Sequence, residues 1–313
     1  MRNYPQQVEM AAGEPQHLGE FVGQPSAKAM VEIACKYAYK AHELPHILIT
    51  GNAGHGKTTL AKLIALSVKA PIISVTAHSI DSRDELTNYI CDTLQIWSNG
   101  KEYTAAPVLF IDEIHALDKK VMECLYVPMQ EQMLDINGGR QKILPFTVIG
   151  ATTEGGTLTE PLIERFAMHL SLEPYTVQDI ANILWHRKMT EWETCCEIAR
   201  RSRRTPRIGI QHLRMASAID FDLVTYFKLA QIDEYGFGTK DYRILDALVR
   251  AERPCSTKAI AKMTAINETE IISMLEPYLV TMKFISLTAR GRQITAKGRN
   301  YIECITRQQV IET

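Results

Sequence analysis

Short apolar runs and longer stretches of helical spacing alternate through the first half of the chain. HILIT (46–50), PIISVT (71–76), PVLFID (107–112) and FTVIGAT (146–152) are rich in aliphatic and β-branched residues. Between most of them lie segments whose apolar positions recur at helical spacing, such as Lys57–Val68. Runs that are apolar on both faces predict strands buried on both sides, and their alternation with helices predicts a parallel sheet covered on each face. A fifth run, FAMHLSLE (166–173), closes this α/β domain near Glu173-Pro174, giving a first domain over 1–174.

Beyond Thr176 the pattern turns helical: VQDIANILWHRKM, ETCCEIARRS and RIGIQHLRMASAID predict a small helical domain over 175–235. DEYGFGT (233–239), with two glycines, reads as a linker. YRILDALVRA, STKAIAKMT and NETEIISMLEPYLV then predict three helices, followed by two short apolar runs around a basic, glycine-containing turn in KFISLTARGRQIT. Three helices and a hairpin describe a winged helix-turn-helix over 236–313.

Composition narrows the class. An apolar fraction of 46% and a charged fraction of 23% are those of a globular chain, and no apolar run nears the roughly 20 residues that span a bilayer. The opening MRNYPQQVEMAAGEP has no apolar core for a secretory signal. Seven scattered cysteines without a Cys-x-x-Cys pair suggest reduced thiols in a cytoplasm. The net charge of −1 hides basic patches: 277–302 holds no acid but carries Lys283, Arg290, Arg292, Lys297 and Arg299, and RRSRRTPR (200–207) forms a second cluster.

The chemistry starts at GNAGHGKTT (51–59), which fits G-x-x-x-x-G-K-[ST] between a predicted strand and helix. Gly51, Gly54 and Gly56 let backbone N–H groups turn toward phosphate oxygens at a positive helix N-terminus. Lys57 is expected to reach the β- and γ-phosphates of ATP, Thr58 to ligate Mg²⁺, and Thr59 to lie near the α-phosphate. VLFIDEIH (108–115) then carries two carboxylates to the end of a buried strand, where open α/β sheets bind ligands. Asp112 is the expected magnesium partner and Glu113 the base for an attacking water, which a mere nucleotide switch does not need.

Thr152 and Thr153 end the next strand, and Thr153 is the better placed to hydrogen-bond a γ-phosphate or its water. Arg165 in PLIERF reads either as an exposed helix arginine or as a finger acting on a neighbouring subunit's nucleotide, which requires an oligomer. Arg207, after a Pro suited to a first helical turn, reads as a phosphate sensor, a solvated basic residue or part of a DNA patch.

Taken together, GNAGHGKTT, VLFIDEIH, PFTVIGATT, PLIERF, IARRSRRTPRI, LEPYLV and LTARGR resemble the RuvB family of AAA+ ATPases, from about Leu18 to Tyr301. The resemblance implies an ATP-driven motor for Holliday junction branch migration, a hexameric ring around duplex or four-way-junction DNA, and a RuvA-type partner. It implies Arg165 as the trans-acting arginine, Arg207 as the lid sensor, Tyr175 at the nucleotide pocket, and Arg290 with Arg292 as DNA contacts of the wing. The chain departs from the family at Glu14, Ile163, Glu268 and Leu287, where basic residues are usual. LDINGGRQKILPF (134–146) is shorter than the family's partner-docking hairpin and offers little apolar surface, whereas 91–107 is longer than its counterpart. Two other functions fit parts of the pattern: a clamp-loader-like remodelling ATPase, and an ATP-switched winged-helix regulator. The first expects a helical collar in place of a winged helix, and the second has no use for Glu113 or Arg165.

Overall fold

The computed structural model describes residues 10, 13–98, 103–136 and 138–311. Most of the opening segment and residues 99–102 of the long 91–107 stretch lie outside them. The chain packs as two compact units, 1–188 with 205–207, and 189–204 with 208–313.

In the first unit, β1 (Ile47–Thr50), β2 (Ile72–Thr76), β3 (Val108–Asp112), β6 (Thr147–Thr152) and β7 (Met168–Ser171) form one parallel sheet in the order β2-β3-β6-β1-β7. β4 (Met133–Ile136) and β5 (Gly139–Lys142) make a separate antiparallel hairpin. The alternation of side chains along each strand divides the core in two. Ile47, Ile49, Val108, Phe110, Ile149 and Ala151 face the helices Pro25–Ala41 and Lys57–Ser67. Leu48, Leu109, Ile111 and Val148 face the side of the helix Arg83–Ser98. Leu60, Leu63 and Ile64 are fully buried and anchor the helix after β1, each contributing roughly 1.5–3 kcal/mol by burial. That anchor fixes the helix whose first turn carries Lys57 and Thr58.

β1 runs between β6 and β7, with Thr50 in register with Thr152 and Ser171. β3 lies beside β6, so the carboxyl ends of β1, β3 and β6 gather on one edge of the sheet. The P-loop, the two carboxylates and the paired threonines therefore meet although about 100 residues separate the first from the last.

In the second unit, helices start where caps dictate. Asp222, Ser256 and Asn267 each accept a backbone N–H of the turn that follows. The wing is the hairpin of β8 (Ile285–Thr288) and β9 (Gly291–Ile294). The helix before it runs over 268–281 with a π-type turn at Ile271–Leu275. Pro277 accounts for that turn, since it lacks an N–H and its ring would clash with the carbonyl four residues earlier.

DEYGFGT is not a linker. The Asp233 carboxylate accepts the N–H groups of Tyr235 at 2.9 Å and Phe237 at 2.7 Å, and the hydroxyls of Tyr242 and Tyr301. Phe237 is fully buried among Tyr235, Tyr278, Phe284 and Tyr301. Glycine content suggested freedom, but Tyr235 and Phe237 beside those glycines join the core.

His212 gives this unit an acid-sensitive point. It is 8% exposed, packs against the rings of Tyr226 and Phe227, and places Nδ1 2.9 Å from the Tyr226 hydroxyl. Burial, with the Arg201 charge adding to it, pulls its pKa from 6.5 to about 4. Between those values the unfolded chain binds a proton that the folded one refuses, so stability falls as pH drops from about 6.5 toward 4. The expected loss is roughly 3 kcal/mol, complete near the lower value. Denaturant titrations at about pH 7.5 and about pH 4 check this; a His212→Gln variant should show a smaller difference between them.

Candidate functional site

Gly51, Gly54 and Gly56 all adopt positive φ (149°, 78° and 94°), so the loop after β1 has the curl that only glycine adopts freely. The space is also closed to larger residues. A Cβ on Gly56 would lie 3.3 Å from the Phe21 ring, and one on Gly54 would lie 2.9 Å from both Thr205 Cγ2 and Arg207 Cβ. Arg207 thus sits against the P-loop in the first unit. The buried Lys57 ammonium donates to the carbonyls of Gly51 at 2.8 Å and Asn52 at 3.3 Å. Burial pulls it below the usual lysine range; Glu113 and Asp112 oppose that shift and Arg207 adds to it. Thr59 is half-buried on the next step of the helix.

Thr58 Oγ1 donates to Asp112 Oδ2 at 3.0 Å, and Asp112 Oδ1 accepts the Glu113 N–H at 3.1 Å. Two hard oxygen groups side by side, with no third protein ligand needed, suit a magnesium ion that keeps waters and phosphate oxygens as its other ligands. Glu113 itself has φ 50°, a left-handed backbone for a non-glycine residue, as the chain turns off β3. Its Oε2 accepts both the N–H and the hydroxyl of Thr153, each at 3.1 Å.

Tyr175 is 2% exposed and donates its hydroxyl to the His55 carbonyl at 3.0 Å; burial pushes its pKa up to about 12. The tyrosine thereby ties the segment after β7 to the P-loop. Two neighbours escaped sequence reasoning. Gln24 forks onto the backbone of Glu173, donating to its carbonyl at 2.8 Å and accepting its N–H at 2.9 Å. His115 sets Nδ1 2.9 Å from Thr152 Oγ1 and 3.4 Å from Glu113 Oε2. The spacing Asp-Glu-x-His was visible, but nothing in it says that the histidine turns back toward the glutamate. His55 is buried, and its Nδ1 has no hydrogen-bond partner among the described residues.

Arg165 lies at another place. Its guanidinium donates to the carbonyls of Tyr126 (3.2 Å) and Pro161 and to Gln130 Oε1 (3.1 Å), and stacks 4.4 Å over the Tyr126 ring.

The wing separates its two arginines. Arg290 is exposed at the turn between β8 and β9. Arg292 is not the free cation that the acid-poor stretch implied: its Nε and Nη2 donate to the two oxygens of Glu276 at 2.6 and 3.0 Å, with side chains 23% and 10% exposed. Glu276 lies one residue outside the acid-free segment in sequence, and the fold brings it back. Gly291 is required here, since a Cβ would lie 2.3 Å from the Cys255 carbonyl, whose residue exchanges two backbone hydrogen bonds with Arg292. Three arginines of the RRSRRTPR cluster are likewise paired: Arg200 and Arg201 with Glu197, and Arg203 with Asp241.

The hairpin of β4 and β5 carries charge rather than apolar surface. Asp135 pairs with Arg83 at 2.6 Å and with Arg140 at 3.6 Å, and β5 is exposed along its length. Asn137 in its turn lies outside the described residues.

The model of the Holliday junction DNA helicase RuvB P-loop domain matches residues 14–172, and that of the RuvB C-terminal winged helix domain matches 234–303. The Holliday junction branch migration complex subunit RuvB of Campylobacter lari is 36% identical over 309 residues, covering 91% of this chain and 89% of that protein. The subunit of the same name from Fervidobacterium nodosum is 32% identical, covering 92% and 88%. The solved Thermotoga maritima RuvB Holliday junction branch migration motor superposes with a TM-score of 0.79 at 30% identity, covering 94% of this chain and 99% of that one.

Proposed function

The chain belongs to the RuvB family, and on that premise we propose that it is an ATP-driven motor of Holliday junction branch migration in recombination and repair. The observation that carries the chemistry is the meeting of Lys57, the Thr58–Asp112 pair and the Glu113–Thr153 pair at the ends of β1, β3 and β6. In this reading the N–H groups of 51–58 and Lys57 hold the triphosphate. Thr58 and Asp112 hold magnesium, which when bound offsets phosphate charge. Glu113 takes the proton of the attacking water, and Thr153 orients that water or the γ-phosphate. Tyr175 and Arg207 flank the P-loop and report on the nucleotide, and Arg165 serves the neighbouring subunit of a hexameric ring.

The reading divides labour among an ATPase domain to 174, a helical lid over 175–235 and a winged helix over 236–313. DNA contact at the wing falls to Arg290, while Arg292 shapes the wing through Glu276. A RuvA-type partner would meet a charged hairpin, so apolar docking there is not the expected mode. A cytoplasmic setting is supported by the free cysteines, and among the described residues no helix is long and apolar enough to cross a membrane.

The test is ATP turnover and DNA binding measured together, on linear duplex and on a four-way junction, over a range of salt. Turnover should rise with DNA. Arg290→Ala should weaken binding about equally on unrelated duplexes and lower the salt slope by about one. DNA-independent turnover should stay at the parent rate. Turnover indifferent to both DNAs would sink the motor reading, and an unchanged salt slope would move the contact off the wing.

A further inference from the structure

The one residue of the Asp-Glu-x-His segment with no assigned task is His115, and its surroundings define one. Thr152 is fully buried, and its Oγ1 accepts the Glu154 N–H at 2.9 Å, so that hydroxyl cannot swing away. It lies 2.9 Å from His115 Nδ1. In one tautomer the hydroxyl donates to the ring; in the other the ring N–H donates to Oγ1. Thr152 anchors the imidazole in both, but it is with the proton on Nδ1 that the ring attracts Glu113 Oε2, which stands 3.4 Å from that atom. On its other side that oxygen is held by the N–H and hydroxyl of Thr153.

Glu113 needs such walls. Its backbone has left β3 in a left-handed turn, so the strand no longer aims the side chain, and a glutamate has three torsions to fix. Thr153 has one hydroxyl proton. When that proton goes to a phosphate or a water it no longer holds the carboxylate, and the backbone N–H with the anchored imidazole remains.

We propose that His115 is a positioning residue that, anchored by Thr152, holds the Glu113 carboxylate at the end of β6 while the Thr153 hydroxyl turns to the nucleotide. The proposal rests on Glu113 being the water-activating base.

His115→Leu should lower kcat about 10-fold or more, because small misplacements of a reacting group carry large rate costs. The KM for ATP and the melting temperature should hardly move. His115→Asn keeps an N–H near the Nδ1 position and should retain kcat within about 3-fold of the parent. Adding His115→Leu to Glu113→Gln should cost nothing further in turnover, since the group to be positioned is gone. Equilibrium ATP affinity in that background should also stay unchanged. Independently of turnover, Thr152→Val should shift the ring-nitrogen resonances of His115 in histidine-labelled protein, assigned by their loss in His115→Asn.

Parent-like kcat in His115→Leu overturns the proposal, as does an equal loss in the Leu and Asn variants or a further loss on top of Glu113→Gln. Parent-like turnover by Glu113→Gln alone overturns the base assignment and this inference with it. A failure confined to the His115 variants leaves the base assignment standing.

Discussion

Lys57→Ala abolishes ATP binding, whereas Glu113→Gln binds ATP and barely turns it over: this is the expected separation of cradle from chemistry. The two residues lie close enough for the Glu113 charge to act on the Lys57 ammonium, yet their surroundings assign them different work. Lys57 is buried within the loop, and its donors now satisfy two loop carbonyls. Removing it leaves those carbonyls unmatched and deletes the one cation that the loop itself offers to the β- and γ-phosphates. Both ground-state and transition-state binding go, so affinity and turnover fall together. Glu113→Gln keeps size and shape. Its amide oxygen can still accept from Thr153, so the loop and strand ends should hold their places. What disappears is a group able to take a proton from water, and losses of general bases cost about 10²–10⁴ in rate. Equilibrium binding of a fluorescent ATP analogue and single-turnover hydrolysis separate the cases. Turnover by Glu113→Gln within a few-fold of the parent would remove the base assignment.

Much of this site was legible before any fold was known. Glycines at fixed spacing, four apolar residues before Asp112 and two threonines after an aliphatic run each state a local conformation. That these segments meet at the carboxyl ends of the strands then follows from the preference of α/β chains to bind ligands there, whereas the order of the strands is a property of the fold. The strands lie within two residues of the runs that announced them, because a strand buried on both faces must be apolar throughout.

What stayed hidden was pairing over distance. Arg292 looked free because its own stretch contains no acid, but a bidentate bond to Glu276 is a property of the folded wing. The linker was misread for the same reason: two glycines are local, whereas the closing of Phe237 into a ring cluster depends on Phe284 and Tyr301. His115 and Gln24 belong to this class as well. Each is an ordinary polar residue whose role is set by a partner from another strand end.

The second large effect is expected at Arg165. Alanine there should cost about 10³–10⁵ in turnover while ATP affinity at the same subunit changes little. The local structure supports a finger rather than a buried strut. Among the described residues its guanidinium donates to neutral acceptors, two backbone carbonyls and the Gln130 amide, and the Tyr126 ring lies under its face. Neutral partners fix direction without cancelling charge, so the positive field stays available to a phosphate brought up by another subunit. A carboxylate partner would have spent that charge within the chain. Trans action has a sharp consequence for mixtures. Arg165→Ala has an intact P-loop and no finger; Lys57→Ala has a finger and no usable P-loop. In a ring of equal, freely exchanging subunits, half of the P-loops are intact and half of the facing arginines are present, so about one quarter of interfaces are complete. Each parent variant alone is inactive, yet the mixture should recover turnover toward that fraction. An arginine acting within its own subunit predicts none, because no single chain then carries both groups. The measurement is ATP turnover across mixing ratios, with subunit exchange verified by native mass spectrometry. A flat line at zero across all ratios, with exchange complete, would place the arginine's action in cis or remove it from catalysis.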